Sequence, residues 1–209
     1  HYGENVAVFE DTLVAGSPFD DENGAESGSI SVYTRSGDTW TLEQKILGAP
    51  GDRFGYSVDL FGDTLVVSAP EEEDKGPGSG SVYVYNRAGN TWFLQQKLIA
   101  DDGVENGGFG IDISLYEDTL VVGAEAYLSA SSGTEENGAV YIYFRSDSSW
   151  SLQQKIVGGS CGDTGACSGS TALAHFGSDL DLHGDTLAVG AYNDLGVQPG
   201  SGAVYVYTR

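Results

Sequence analysis

The residues best suited to chemistry in this 209-residue chain are carboxylates gathered in short runs. Asp20, Asp21, Glu22 and Asn23 form the densest run; Glu71, Glu72, Glu73 and Asp74 form a second, and Glu135, Glu136 and Asn137 a third. Each lies in a stretch rich in Gly, Ser or Pro, such as PFDDENGAESGS from Pro18 and PEEEDKGPGSGS from Pro70. Carboxylates and an amide oxygen around a glycine turn are the donor set of a hard divalent cation, so these runs are candidate calcium sites. A further acidic group (Asp52, Asp101, Asp102, Glu105 and Asp163) includes two adjacent residues, Asp101 and Asp102, that join the candidate ligands. The competing reading is that Asp and Asn in such loops bond their own backbone as turn formers.

Acid–base catalysis is not expected from the same residues. A carboxyl group needs burial or a like charge to keep a proton near neutrality, and loops this polar are wet. There is no Gly-x-Ser-x-Gly elbow, His-Glu-x-x-His pair or phosphate-cradling glycine loop. His1, His175 and His183 share no motif. The chain therefore does not read as an enzyme. Its net charge of −22 makes phosphate backbones and anionic headgroups poor partners. No apolar run approaches the roughly 20 residues that cross a bilayer, so neither nucleic acid nor membrane insertion is expected. Cys161 and Cys167, in a Gly/Ser-rich stretch, are expected to form a local disulfide rather than remain two free thiols, which points to an oxidising compartment. With no Met in the chain, His1 reads as the start of a processed mature protein or of an excised piece.

The elements that hold these loops repeat four times. An aromatic–glycine pair stands at Tyr2–Gly3, Phe54–Gly55, Phe109–Gly110 and Phe176–Gly177. A second segment reads DTLVAGSP from Asp11, DTLVVSAP from Asp63, DTLVVGAE from Asp118 and DTLAVGAY from Asp185. A third reads GSISVYTR from Gly28, GSVYVYNR from Gly80, GAVYIYFR from Gly138 and GAVYVYTR from Gly202. A fourth, TWTLEQKI, TWFLQQKL and SWSLQQKI, starts at Thr39, Thr91 and Ser149 and has no last copy. Short β-branched and aromatic runs between turn residues are strands. The expectation is fifteen strands in four antiparallel units, the last unit one strand short.

Leu65, Val66 and Val67 are consecutive and apolar, which requires cover on both faces of the sheet. Val82 and Val84 alternate with Tyr83 and Tyr85, so both faces of the third strand are also apolar. In the fourth strand Trp92, Leu94, Gln96 and Leu98 are expected on one face and Phe93, Gln95 and Lys97 on a wetter one. Such a gradient fits blades stacked radially, and the fold class is an all-β propeller of four four-stranded blades, with a linear solenoid as the alternative. One repeat domain spans residues 1–209, with blades at 1–53, 54–108, 109–175 and 176–209. The recurrent Arg35, Arg87, Arg145 and Arg209, with Lys45, Lys97 and Lys155, are expected to pair and pack within blades. Trp40, Trp92 and Trp150 are expected in interblade packing rather than as a sugar-stacking row.

These segments resemble the FG-GAP repeat of the integrin alpha-like β-propellers in the form that bacterial members take. The matching order is Phe-Gly, then Gly-Asp-Thr-Leu-Val-Val, an acidic loop, Gly-Ser-Val-Tyr-Val-Tyr, and Trp with Gln-Gln-Lys. The resemblance implies an extracellular or cell-surface location, adhesion or assembly, and calcium in the loops of some members. The chain departs from the family pattern in having four units, where closed rings usually have seven, and in lacking an intact Asp-x-Asp-x-Asp-Gly loop. The reading is a non-catalytic extracellular structural or adhesive module that binds a protein partner or itself. A glycan-binding lectin and an accessory domain of a larger secreted enzyme are the alternatives. The open edge of the fourth unit is to be filled by continuing polypeptide or by a partner's strand.

Overall fold

Three apolar β-branched or leucine residues in a row cannot sit at a half-wet surface, and in the second strand of the repeat they do not. The structure is a computed structural model that describes residues 2–103, 105–124, 138–158, 175–192 and 201–208. The first sheet contains β1 (Val6–Phe9), β2 (Thr12–Ser17), β3 (Ser29–Ser36) and β4 (Thr39–Leu47). The second contains β5 (Val58–Phe61), β6 (Thr64–Ala69), β7 (Ser81–Ala88) and β8 (Thr91–Leu98). The third contains β9 (Phe109–Tyr116), β10 (Thr119–Ala124), β11 (Ala139–Ser146) and β12 (Ser149–Val157), and the fourth β13 (Phe176–His183), β14 (Thr186–Ala191) and β15 (Ala203–Thr208). Each sheet is an antiparallel meander in chain order. This is the expected β-propeller architecture of four blades, the last with three strands.

Two-residue turns set the register. Phe9 pairs with Thr12, Phe61 with Thr64, Tyr116 with Thr119 and His183 with Thr186. The first turn residue is left-handed in each, with φ of 50° at Glu10, 59° at Gly62, 53° at Glu117 and 59° at Gly184. A one-residue bulge recurs in the last strand of the full blades. Val32 pairs with Gln44 but Tyr33 with Leu42, leaving Glu43 between; Gln95 and Gln153 are passed over in the same way. The bulge corrects the expected faces of β8. Trp92 and Leu94 pair with Arg87 and Tyr85 on one face, whereas Gln96 and Leu98 pair with Val84 and Val82 on the other.

The core lies between blades. Val66, Val82 and Val84 pack with Phe109, Ile113 and Leu120 toward the third blade. Leu65 and Val67 pack with Val14, Ile30, Val32 and Phe54 toward the first. A third cluster joins Val121 and Val140 to Phe176, Leu180 and Val189. Adjacent valines thus serve different interfaces. The aromatic of each later Phe-Gly pair wedges edge-on against two tyrosines: Phe54 at 5.3 Å from Tyr83, Phe109 at 5.2 Å from Tyr141 and Phe176 at 5.3 Å from Tyr205. The glycine that opens β3 is required by this wedge. Gly28 has φ of +75°, and a Cβ there would lie 2.1 Å from the Phe54 carbonyl oxygen.

Candidate functional site

The first acidic loop joins β2 to β3 and folds its side chains onto its own blade. Asp20 accepts hydrogen bonds from the Ser29 hydroxyl at 2.6 Å and from the Glu22 N–H at 3.0 Å. Lys45, on β4, places its ammonium 2.8 Å from Asp20 Oδ2 and 2.5 Å from Glu22 Oε2. The Lys45 bond, then those from Ser29 and the Glu22 N–H, hold the Asp20 carboxyl down at about 2. Asp21 accepts the Glu26 N–H at 2.8 Å, and Asn23 donates its amide to the Gly48 carbonyl at 2.8 Å.

The second loop repeats the plan with Glu72 in the place of Asp20. Glu72 Oε2 accepts the Ser81 hydroxyl at 2.6 Å and the Asp74 N–H at 3.1 Å. The Lys97 ammonium lies 2.5 Å from Glu72 Oε1 and 2.6 Å from Asp74 Oδ2. Burial would lower the Lys97 pKa, but the bonds to Asp74 and Glu72 outweigh it and raise it. Glu71 pairs with Arg53 at 3.0 Å, and Arg53 also pairs with Glu26 at 2.7 Å, tying the two loops together. Glu73 and Asp101 are exposed. Asp102 accepts the Tyr141 hydroxyl at 2.9 Å and pairs with Lys155 at 2.6 Å.

Calcium takes about six to eight oxygens, and the best-placed oxygens here are already bonded to an ammonium, a hydroxyl or an N–H. Among the described residues no three His, Cys, Asp or Glu side chains converge as metal ligands would. As placed, Asp20, Asp21, Glu22, Asn23, Glu71, Glu73, Asp74, Asp101 and Asp102 do not fit a calcium ion. Glu135, Glu136 and Asn137 lie outside the described residues, as do Cys161 and Cys167.

The side chains that join the blades are ones whose destination the sequence conceals. Gln44 clasps the next blade in both directions: its Nε2 donates to the Trp92 carbonyl at 3.2 Å, and its Oε1 accepts the Trp92 N–H at 2.8 Å. Gln96 does the same to Trp150 at 2.9 and 2.8 Å. Arg87 and Arg145 reach back a blade to the hydroxyls of Thr12 and Thr64, at 3.0 and 2.8 Å. The guanidinium groups of Arg35, Arg87 and Arg145 lie over Trp40, Trp92 and Trp150 at 5.6, 5.7 and 5.6 Å. Asp11 and Asp118 prove to be guanidinium partners as well as turn residues, pairing with Arg35 at 2.7 Å and Arg145 at 2.5 Å. Trp92 and Trp150 are buried, and of the three only Trp40, at 39%, stays exposed.

A polar ladder runs along the inner strands. The inner strands β5, β9 and β13 are sheet edges, and side chains from the preceding blade bond N–H groups along them. Asn5 accepts the Val58 N–H at 3.1 Å, Asp59 the Leu115 N–H at 2.6 Å, Asp112 the Leu180 N–H at 2.7 Å and Ser114 the Leu182 N–H at 3.0 Å. Burial raises Asp59 and lifts Asp112 to about 6. Beside the ladder, Phe9, Phe61, Tyr116 and His183 follow one another at 4.9, 5.2 and 4.9 Å, which makes His183 the last rung of a repeated aromatic series.

The end blades show what an interface looks like before it is covered. Val6 and Val8 on β1 are 62% and 64% exposed, and Val204 and Val206 on β15 are 70% and 64% exposed. Gln154 on β12 and Asp179 and Asp181 on β13, which stand where the clasp and ladder residues stand in earlier blades, are also exposed. A groove of about 770 Å³ opens here, lined among others by Asn5, Asp112, Asp179, Gly190 and Val204.

The sequence matches the profile of the FG-GAP repeat over residues 1–33, 40–85, 92–143 and 150–207. It is 29% identical to human integrin alpha-11 over 220 residues, an alignment that takes in 94% of this chain and 16% of that protein. Among solved structures it is similar to a Bacteroides uniformis protein described as a candidate 6-phosphogluconolactonase, at 14% identity and a TM-score of 0.40 over 99% of this chain and 72% of the other. At that score nothing about activity follows.

Proposed function

This chain belongs to the FG-GAP repeat family, and on that premise we propose that it is a non-catalytic structural or adhesive module of the extracellular space. It works by face-to-face association of blades, with copies of itself or with a protein partner that offers a similar face, wherever further blades of the same polypeptide do not cover the end faces. The observation behind this reading is the pair of end faces. Val6 and Val8 at one end, and Val204 and Val206 at the other, are the two halves of an interface that the chain forms three times internally. Exposed apolar faces of this kind mark association sites.

The raised carboxyls support a structural role over an acid–base one, because Asp59 and Asp112 each hold an N–H of the next blade. The likeness to integrin alpha-11 supports an adhesive, surface-exposed setting; the chain spans about a sixth of that protein, so its partners are not carried over. Light scattering over a concentration series tests it. The expected mass rises with concentration for the unmodified chain and stays monomeric for the V204K/V206K variant, whose substitutions are on the exposed face. A chain that remains a monomer up to millimolar concentration would sink the self-association reading.

A further inference from the structure

Two loops of different sequence build the same cluster. In the first, Asp20 and Glu22 hold the Lys45 ammonium; in the second, Glu72 and Asp74 hold that of Lys97. Both clusters are anchored alike, by a serine at the start of the following strand and by an N–H two residues along the loop. The lysine comes each time from the outer strand of the same blade, 25 residues after the first carboxylate. Asp interchanges with Glu at both acidic positions, so the plan is kept while the side-chain lengths change.

We propose that the lysine is the resident cation of these loops: its ammonium takes the place of a divalent metal between the two carboxylates, and the loops keep their form without calcium. An ammonium supplies three donors and one positive charge from a tether that costs no binding step. Nζ to oxygen distances of 2.5–2.8 Å leave no room for a metal to bridge the same oxygens. Lys97 is set further by the Tyr83 ring, 5.4 Å away. Lys155, the lysine of the third copy, is paired to Asp102 and lies 4.9 Å over Tyr141. These loops are thus held by a covalently tethered cation, with no dependence on the concentration of a free one.

The test is thermal melting in EDTA, in 10 mM calcium and in 10 mM magnesium, the last correcting for general screening of an acidic protein. The unmodified chain is expected to melt at the same temperature in calcium and magnesium. K97Q is expected to melt about 4–8 °C lower in EDTA, and calcium in preference to magnesium to recover about half of the loss. K97R, which keeps a cation, should behave as the unmodified chain does. K45Q, in the more exposed cluster, provides the same comparison should K97Q not fold. The proposal is overturned if the unmodified chain gains stability in calcium over magnesium and D20N or E72Q abolishes that gain. It is also overturned if K97Q and K45Q are destabilised yet indifferent to calcium, because the ammonium would then be an ordinary ion-pair partner.

Discussion

Replacing Asp112 with Asn should remove a pH dependence that the inner ladder builds into the fold. Asp112 accepts the Ser57 hydroxyl at 2.9 Å and the Leu180 N–H at 2.7 Å, and burial lifts its carboxyl from 3.8 to about 6 despite both bonds. A carboxyl whose pKa is higher folded than unfolded favours the folded state when protonated. That contribution is complete below the unfolded value near 3.8 and is lost as pH rises through about 6. A shift of about two units corresponds to roughly 3 kcal/mol. The amide introduced by D112N would stay neutral throughout, with its oxygen taking the Leu180 N–H and its NH2 facing the Ser57 hydroxyl. Asn5 already does the first of these on the first blade, accepting the Val58 N–H. Urea unfolding followed by the buried Trp92 and Trp150, at several pH values from 4 to 7.5, reads the difference between the two proteins. The rest of the −22 charge is common to both and cancels. D112N is expected to gain on the unmodified chain by roughly 2–3 kcal/mol between pH 4 and 7.5. Parallel stability curves would refute the reasoning.

Two further substitutions test how blades are joined. Gly28→Ala places a methyl 2.1 Å from the Phe54 carbonyl oxygen at a left-handed φ of +75°, and should cost more than about 2 kcal/mol by urea unfolding. Gly62→Asn, at φ of +59° with open space around it, is the control and should cost less than about 1 kcal/mol; equal losses would remove the steric account of the Phe-Gly wedge. Gln96→Ala removes both arms of the clasp on Trp150 and should cost about 2 kcal/mol, while Gln154→Ala, at the exposed counterpart, should be nearly silent. Similar effects of the two would show that the clasp contributes nothing as a pair.

The strands and their radial stacking were legible because four copies impose the same pattern on different residues, and because Leu65, Val66 and Val67 allow no wet face. The bulge at Glu43, Gln95 and Gln153 was not legible, because it changes register without asking for a particular residue type. Gln44, Gln96 and Gln154 recurred in plain view, but a glutamine on an outer strand reads as solvated until the next blade is set beside it. Asn5, Asp59, Asp112 and Ser114 could have been suspected from their place beside the aromatic–glycine pairs, in or next to otherwise apolar strands. The acidic runs show only half of their setting in the sequence. Charge density along the chain shows the carboxylates, whereas the lysine that meets them arrives from across a hairpin, where Lys45 lies opposite Ser31 and Lys97 opposite Tyr83.

The matched repeat also explains why the ends matter. Its full copies run from 40 to 85, 92 to 143 and 150 to 207, each from the outer strand of one blade through three strands of the next. The covalent unit therefore straddles two blades, and what repeats is the interface, with its valines, Phe wedge, glutamine clasp and polar ladder. A blade alone would leave both of its faces bare, so stability accrues per interface. The four blades between Val6 and Thr208 form three interfaces, and each outer blade has one further face for a neighbouring blade, a second copy or a partner. The half at β1 offers Val6 and Val8, and the half at β13–β15 offers Asp179, Asp181, Val204 and Val206. These halves differ, so two copies that meet through them do so head to tail rather than across a two-fold axis. Such a contact reproduces the internal interface, and one end face remains at each end of the assembly unless the ring closes.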